Sequence, residues 1–497
     1  MSIDPGTKKF IENGTWCNRL ETVGSRRDFF SKSAFGLGGL ALECLLQQES
    51  AWAASPGPGE RSVAKPLVAR SQQFPSRAKN VIFLFMRGGP SHVDTFDPKP
   101  VLSRLDGQFL PPSFQSEDLV LQFVKASDMK LMGSERTFKP RGQSGLEISD
   151  LFENVAQHAD HLAVIRSCHH DSFIHGPALS VLQTGSVSLG HPSMGAWVVY
   201  GLGSEGDSLP GYVVMSESNR VSTKALYGSG FLPAAYQGTM VRTEGAPFRN
   251  LHPPSPITPT KQRQILDQVN QWNERYRAQD RQDDSRLAAR IANYELAFRM
   301  QMAAPELIDI SQEPKSIRKM YGVDEETTEK FARVCLLARR MVERGVRFVE
   351  LYAGGWDTHN QNDKNMLKRA RAVDKPIAGL LSDLQQRGLL ESTLVIWTGE
   401  FGRTPTVQGN WGRDHNPYGF SAWMAGGGVR GGKAIGATDE LGFRAVQDKV
   451  HVHDLHATML SLLGLDHTKL TYFFGGRNQR LTDVGGANDL AVRLVRA

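Results

Sequence analysis

Val81-Ile82-Phe83-Leu84-Phe85, followed at once by Met86-Arg87-Gly88-Gly89-Pro90-Ser91-His92-Val93-Asp94, is the stretch that decides the fold. An unbroken apolar run of this length reads as a strand covered on both faces, the habit of parallel sheets. The Gly- and Pro-bearing segment after it ends the strand and carries ionisable residues. The same pairing recurs twice. Phe348-Val349-Glu350-Leu351-Tyr352 leads into Gly354-Gly355-Trp356-Asp357-Thr358-His359, and Thr393-Leu394-Val395-Ile396-Trp397 leads into Thr398-Gly399-Glu400-Phe401-Gly402-Arg403. In an open parallel sheet, loops at the carboxyl ends of strands converge on one crevice. Imidazoles and carboxylates gathered there point to a metal site and metal-assisted chemistry.

Helical patterns lie between these runs. Pro177 to Thr184 is entered through a Pro near the first turn, Thr327 to Arg344 stops at Gly345 in a cap position, and Lys368 to Gln386 closes on Arg387-Gly388. His161 to Ile165 is a further candidate strand. The alternation predicts an α/β fold, a mostly parallel central sheet with helices on both faces. Residues 209–260, rich in Gly, Pro, Ser and Tyr, are expected as loops and short strands. Gln262 to Met302, polar with periodic apolar residues, is expected as a partly exposed helix. Together they predict a rim insertion over about 209–302.

At 497 residues the chain has room for two or three domains or one large α/β unit. Forty per cent apolar and 22% charged residues is an ordinary globular composition. The net charge of +6 comes from Lys and Arg spread along the chain, with no basic block and no interleaved aromatic stripe. That argues against nucleic acid as a partner and leaves a surface tolerant of anionic substrates. Ser25-Arg26-Arg27-Asp28-Phe29-Phe30-Ser31-Lys32 reads as a twin-arginine export motif. The apolar stretch Ala34 to Leu46 and the small residues of Ala51-Trp52-Ala53 follow it. This order predicts a signal peptide over 1–53 and a linker over 54–77. The main domain is expected over 78–485 and a tail over 486–497. The chain should be exported through the twin-arginine machinery to the periplasm or exterior. The apolar stretch is too short and Gly-rich for a stable membrane span. Cys17 and Cys44 fall in the leader, and Cys168 and Cys335 are expected as buried free thiols.

Val373-Asp374-Lys375-Pro376, Leu380-Leu381, Gly388-Leu389-Leu390 and Thr393-Leu394-Val395-Ile396 together resemble the alkaline phosphatase and sulfatase superfamily. His175 to Gly185 is similar to the helix that carries the sulfatase nucleophile. Asp454 to Gly464 resembles a late helix of the superfamily. More closely, residues 78 to 485 resemble a secreted family known as domain of unknown function 1501. That likeness rests on Gly88-Gly89-Pro90-Ser91-His92-Val93-Asp94-Thr95-Phe96-Asp97, Gly355-Trp356-Asp357-Thr358-His359, Gly399-Glu400-Phe401-Gly402-Arg403-Thr404-Pro405 and Asp414-His415-Asn416-Pro417. The resemblance implies an alkaline-phosphatase-like fold. It also marks departures. Met86-Arg87-Gly88-Gly89 stands where the superfamily has an acidic metal ligand. His175 stands at the nucleophile position, with Leu179 in place of its Arg. Glu400-Phe401-Gly402 replaces an Asp-His-Gly metal loop.

The expected metal ligands are His92, Asp94, Asp357, His359, Glu400 and His415, holding one or two divalent ions. Imidazole favours zinc over calcium or manganese. His175 is a ligand, a helix-entry residue or a nucleophile. Arg87 and Arg403 are placed to hold substrate oxygens. The bland alternatives are a surface Arg87 on a tight turn and an Arg403–Glu400 ion pair. The Gly88-Gly89 pair offers an anion-binding nest, and Asp414 is expected to orient His415. His451, His453, His456 and His467 read as capping and packing residues. The expected function is a metal-dependent hydrolase of phosphate, sulfate or related esters, small-molecule or glycan, in which water replaces the missing nucleophile. The alternative is a catalytically degenerate module that binds anionic glycans.

Overall fold

Alternate residues of the first apolar run face opposite cores, as a strand covered on both sides requires. Ile82, Leu84 and Met86 belong to one buried cluster, and Val81, Phe83 and Phe85 to the other. The structure is a computed structural model that describes residues 67–114, 128–206, 208–218, 224–242, 257–279, 285–486 and 489–495. The export motif, Cys17, Cys44 and most of the expected linker lie outside the described residues.

A nine-stranded sheet organises the molecule. Its strands are β1 (Asn80–Met86), β2 (Ala163–His169), β3 (Tyr212–Ser216), β4 (Thr239–Val241), β5 (Phe348–Ala353), β6 (Thr393–Thr398), β7 (Phe420–Ala425), β8 (Lys433–Ile435) and β9 (Val450–His451). The order is β8-β2-β7-β6-β1-β5-β3-β4, with β9 also paired to β2. β1 runs parallel to β5 and β6, with Val81 opposite both Phe348 and Leu394. Only β7 is reversed, antiparallel to β2 and β6. The mostly parallel sheet is therefore as expected.

Helices cover both faces. α1 (His175–Thr184), α2 (Met194–Leu202) and α5 (Val452–Leu462) bury Leu179, Trp197 and Met459 against Phe83 and Phe85. α3 (Glu329–Glu343) and α4 (Asn362–Gln386) bury Leu337 and Leu380 on the opposite face. Each such side chain contributes about 1.5–3 kcal/mol by leaving water. Asp374 on α4, part of the superfamily resemblance, accepts from the Asn154 and Val155 amides at 2.9 and 2.8 Å. It caps a turn and stays out of the crevice.

Three segments differ from expectation. β3 and β4 were placed at the rim but extend the main sheet, and all five residues of β3 are buried. Tyr212, Val213 and Val214 suit a pleated buried surface, and pairing with β5 overrides the Gly- and Pro-rich surroundings. The polar stretch beyond forms two helices, Pro259–Gln279 and Ser285–Ile308. Within the expected tail, Asp489–Val495 is helical, with Leu490 and Leu494 buried. Cys168 and Cys335 are free and buried, as anticipated. His451 caps α5 through a reciprocal pair of bonds with the His453 amide and Asp454. Among the described residues no helix is long and apolar enough to cross a membrane.

Candidate metal centre

The loops after β1, β5 and β6 meet over the carboxyl ends of the strands. Gly88, at φ 117°, lets the first two touch: a Cβ there would lie 2.4 Å from the Asp357 amide nitrogen. Arg403 and His415 face one another in a short antiparallel pair, Gly402–Arg403 with His415–Asn416. His175 opens α1. Together these elements bring His175, Asp357, His359 and His415 into one cluster, with one ligand atom of each within 4.8 Å of the others.

Asp357 is the hub. Its Oδ1 lies 2.9 Å from His359 Nε2 and 3.3 Å from His415 Nε2, and its Oδ2 lies 3.2 Å from His175 Nε2. The Nε2 atoms of His359 and His415 are 2.9 Å apart. The opposite nitrogen of every ring already has an oxygen partner. His175 Nδ1 meets Glu400 Oε1 at 2.7 Å, His415 Nδ1 meets the Phe173 carbonyl at 2.8 Å, and His359 Nδ1 meets the Gln408 side-chain oxygen. A carbonyl or carboxylate oxygen only accepts, so each Nδ1 carries the hydrogen. Any proton that a cation displaces therefore comes off Nε2, the nitrogen that faces inward. This is how metal-ligating histidines are usually fixed, by a second partner on the far nitrogen.

The electrostatics follow from the crowding. Burial penalises a charged His175 ring, but the Asp357 and Glu400 carboxylates outweigh it and raise its pKa to about 9. The bond to Asp357 likewise raises His359. Burial dominates at His415 and lowers it. For Asp357, burial is overcome by three imidazoles and the Arg403 guanidinium, which hold its carboxyl far below the usual range.

Three imidazoles and one carboxylate form a nitrogen-rich donor set suited to zinc. Donors about 2 Å from a tetrahedral zinc are separated by roughly 3.3 Å. Four of the contacts, at 2.9, 2.9, 3.2 and 3.3 Å, fall near that value, and the remaining donor atoms lie within 4.8 Å of one another. His175 Nε2 is buried yet makes no aligned hydrogen bond, so this inward-facing nitrogen lacks a partner of its own. The residues present fit one divalent cation.

Of the expected ligands, Asp357, His359 and His415 are brought together, and His175 joins them. His92 and Asp94 are not. Asp94 is sealed inside and takes the Arg413 guanidinium at 2.9 and 3.3 Å, with Ser91 and Asn362 filling its remaining positions. Its carboxylate is already neutralised, so it is a structural ion pair. His92 is buried, with Nε2 on the Gly442 carbonyl at 2.8 Å and Nδ1 directed at Gly402. Glu400 stands behind His175, outside the group of four. Both its oxygens accept the Gly88 amide, at 2.9 and 3.0 Å, so the expected anion nest is filled by the protein's own carboxylate. His170 steadies it by binding the Glu400 carbonyl through Nε2.

Arg403 was expected at the substrate. It is fully buried and bound to the carbonyls of Gly88, Gly89 and Arg413 and to Asp357 Oδ1 at 2.6 Å. Its donors are spent on holding the loops, which makes it a positioning residue. Arg87 lies along Gly354, in the loop that carries Asp357. Asp414 bonds the His415 backbone amide at 2.8 Å and sits 3.9 Å from His359 Nδ1, so it does not orient the His415 ring. Phe401 packs its ring on His415 at 4.4 Å and on His175 at 4.9 Å between centroids. Gln408 and the Phe173 carbonyl were missed. An amide and a backbone oxygen leave no signal in a sequence, and only the fold brings them to the rings.

No match was found among curated protein sequences. Among solved structures, the chain is similar to a sulfatase from Pseudoalteromonas sp., at 14% identity over 82% of this chain and 72% of that one, TM-score 0.34. It is similar to the lipoteichoic acid synthase LtaP from Listeria monocytogenes, at 9% identity over 82% and 77%, TM-score 0.35. It is also similar to alkaline phosphatase from the Antarctic bacterium TAB5, at 10% identity over 79% and 99%, TM-score 0.32. Likeness at this level assigns neither activity nor ligand to this chain. The sequence profile that does match spans residues 78–491, and by it this chain belongs to the family described as protein of unknown function (DUF1501).

Proposed function

We propose that this chain is a metal-dependent hydrolase of phosphate, sulfate or related esters, exported by the twin-arginine route. The observation that carries the reading is the convergence of three imidazole Nε2 atoms on Asp357, with every Nδ1 already committed to oxygen. His175, Asp357, His359 and His415 hold one zinc ion. Glu400, Gln408 and the Phe173 carbonyl fix the rings, and Arg403 fixes Asp357. When bound, the ion supplies charge that polarises the ester and lowers the pKa of water.

His175 acts as a ligand. Its Nδ1 is held by Glu400 and its Nε2 faces Asp357, so neither nitrogen is directed at an incoming substrate. Water is then the attacking group, in place of a Ser, Thr or formylglycine. The contacts of Asp357 with Arg403 and of Glu400 with Gly88 leave little uncompensated negative charge for a second cation. One ion per chain is the expectation.

The test is elemental analysis of natively exported protein, joined to chelation and metal add-back with aryl phosphate, phosphonate and sulfate esters. One zinc per chain, and hydrolysis lost on chelation and restored by zinc, is the expected result. A metal-free protein inactive before and after zinc addition would defeat the reading. It would favour the glycan-binding alternative, for which Phe401 in place of an imidazole speaks.

A further inference from the structure

Four non-glycine residues among those described have positive φ, and two of them meet across one contact. Gln361 is at φ 47° and Trp411 at φ 53°. The Gln361 amide donates to the Asn410 carbonyl at 2.7 Å, and the Asn362 amide to the Trp411 carbonyl at 2.8 Å. Trp411 closes a tight hairpin in which Gln408 and Gly412 exchange both backbone hydrogen bonds at 2.8 Å. Such a three-residue loop commonly ends in the left-handed region, where Gly is the undemanding choice. A bulky residue there is a true outlier, costing on the order of 1–3 kcal/mol. Burial recovers little of that, because Trp411 is 62% exposed. The same hairpin supplies Gln408, which holds His359. A strained, exposed aromatic residue thus sits on the hairpin that reaches the cluster through Gln408.

Past the Asn362 contact, the first turns of α4 line a cavity of about 840 Å³ with Gln361, Lys364, Lys368 and Arg371; Glu326 is also in its wall. Lys364, Lys368 and Arg371 are exposed. Their spacing of four and then three residues puts them on one helix face, over about 10 Å. Nearby cations are spent: Arg369 is paired with Glu217 and Lys375 with Glu325. The three on this face have no ion-pair partner among the described residues.

We infer that Trp411 and this basic face form a subsite for an anionic polysaccharide. The ring stacks on a sugar, and the three cations take charges repeated along the chain. This deepens the hydrolase reading by naming its substrate class and rests on that reading for the chemistry alone. A compact phosphate calls for donors that converge on one point, whereas a linear stripe on the helix whose first residue bonds the Trp411 carbonyl suits an extended polymer. Glu326 in the wall limits how closely the anion can approach on its side.

The test measures binding of dextran sulfate, uncharged dextran and single-stranded DNA to the metal-free full chain, by affinity electrophoresis. Hydrolysis is not read, so failure of the ester-hydrolase reading and failure of this one are separate results. Dextran sulfate should bind and dextran should not. Trp411→Gly removes the ring while keeping the left-handed backbone, and should weaken binding about tenfold or more, with Trp411→Phe restoring most of it. Replacing Lys364, Lys368 and Arg371 together by Gln should weaken it at least as much. The inference is overturned if dextran sulfate does not bind, or if Trp411→Gly binds as tightly as the parent. It is also overturned if single-stranded DNA binds equally well with the same dependence on both variants.

Discussion

His92-Val93-Asp94 and Asp357-Thr358-His359 contain the same two ionisable residue types at the same spacing, in opposite order, each just beyond a central strand. Their fates are opposite. Asp94 is enclosed with Arg413, whose side chain is as buried as its own. Asp357 keeps 43% of its side chain exposed and gathers three imidazoles. The difference lies in what the rest of the chain delivers. Both aspartates meet a buried guanidinium, but Asp94 gives both oxygens to Arg413 and takes two further donors, so it holds the fold. Asp357 gives Arg403 one oxygen and meets three imidazole Nε2 atoms, an arrangement with room for an ion. Residue type and spacing do not separate the two cases; their partners do.

The comparison breaks if the two aspartates prove interchangeable. Asp94→Ala strands the Arg413 charge in the interior and should cost about 3–5 kcal/mol, read from urea unfolding of the metal-free protein. Asp357→Ala also takes the carboxylate from the buried Arg403, but at a position 43% exposed and open to water, so it should cost less in the same assay, and equal losses would sink the contrast. For zinc affinity, measured by competition with a chromophoric chelator, the order reverses. Asp357→Asn should weaken binding by more than about 100-fold, beyond what outer partners give. Asp94→Asn should leave it nearly unchanged wherever the variant folds. Gln408→Ala and Glu400→Gln, which loosen a ring without removing a donor, should each cost about 10–100-fold in zinc affinity. Wild-type affinity in both would mean the ring orientations are set elsewhere.

The remaining effect is on pH dependence. His175 is held at about 9 in the folded metal-free protein, against an ordinary 6.5. A raised pKa stabilises fully below the unfolded value and loses that contribution as pH climbs through the folded one. Metal-free stability should therefore decline between pH 6.5 and about 9, and His175→Gln should flatten that decline. Zinc displaces the same proton, so its affinity should rise across that window. A zinc affinity independent of pH there would argue that His175 is not a ligand.

The central strands were legible because β1 and β6 carry continuous apolar runs and β5 is apolar but for Glu350, and the loops after them carried the ionisable residues with them. β3 was not, since its five residues follow Pro210-Gly211 in a Gly- and Ser-rich stretch and owe their strand to pairing with β5. His175, His359, His415 and Asp357 were visible as residue types in suggestive places. The exclusion of His92 and Asp94 was not, because Arg413 lies more than three hundred residues from Asp94 along the chain. Arg403 looked like an anion-binding cation, and only its burial against three carbonyls shows that its donors are used up. Trp411 carried no signal at all, since exposure and backbone handedness are properties of the folded hairpin.

The reversed direction of β7 sets a schedule for biosynthesis. A strand that runs against its neighbours presents to the crevice the segment that precedes it, so His415 is delivered from just upstream of Phe420. The other donors wait at His175, Asp357 and His359 until that segment arrives. A ribosome must therefore release most of the chain, and β7 must insert backwards between β2 and β6, before the fourth donor is in place. On the proposed metal-centre reading, ion capture would then be a late event, and a truncated or misthreaded chain would leave the cell's metal pool untouched.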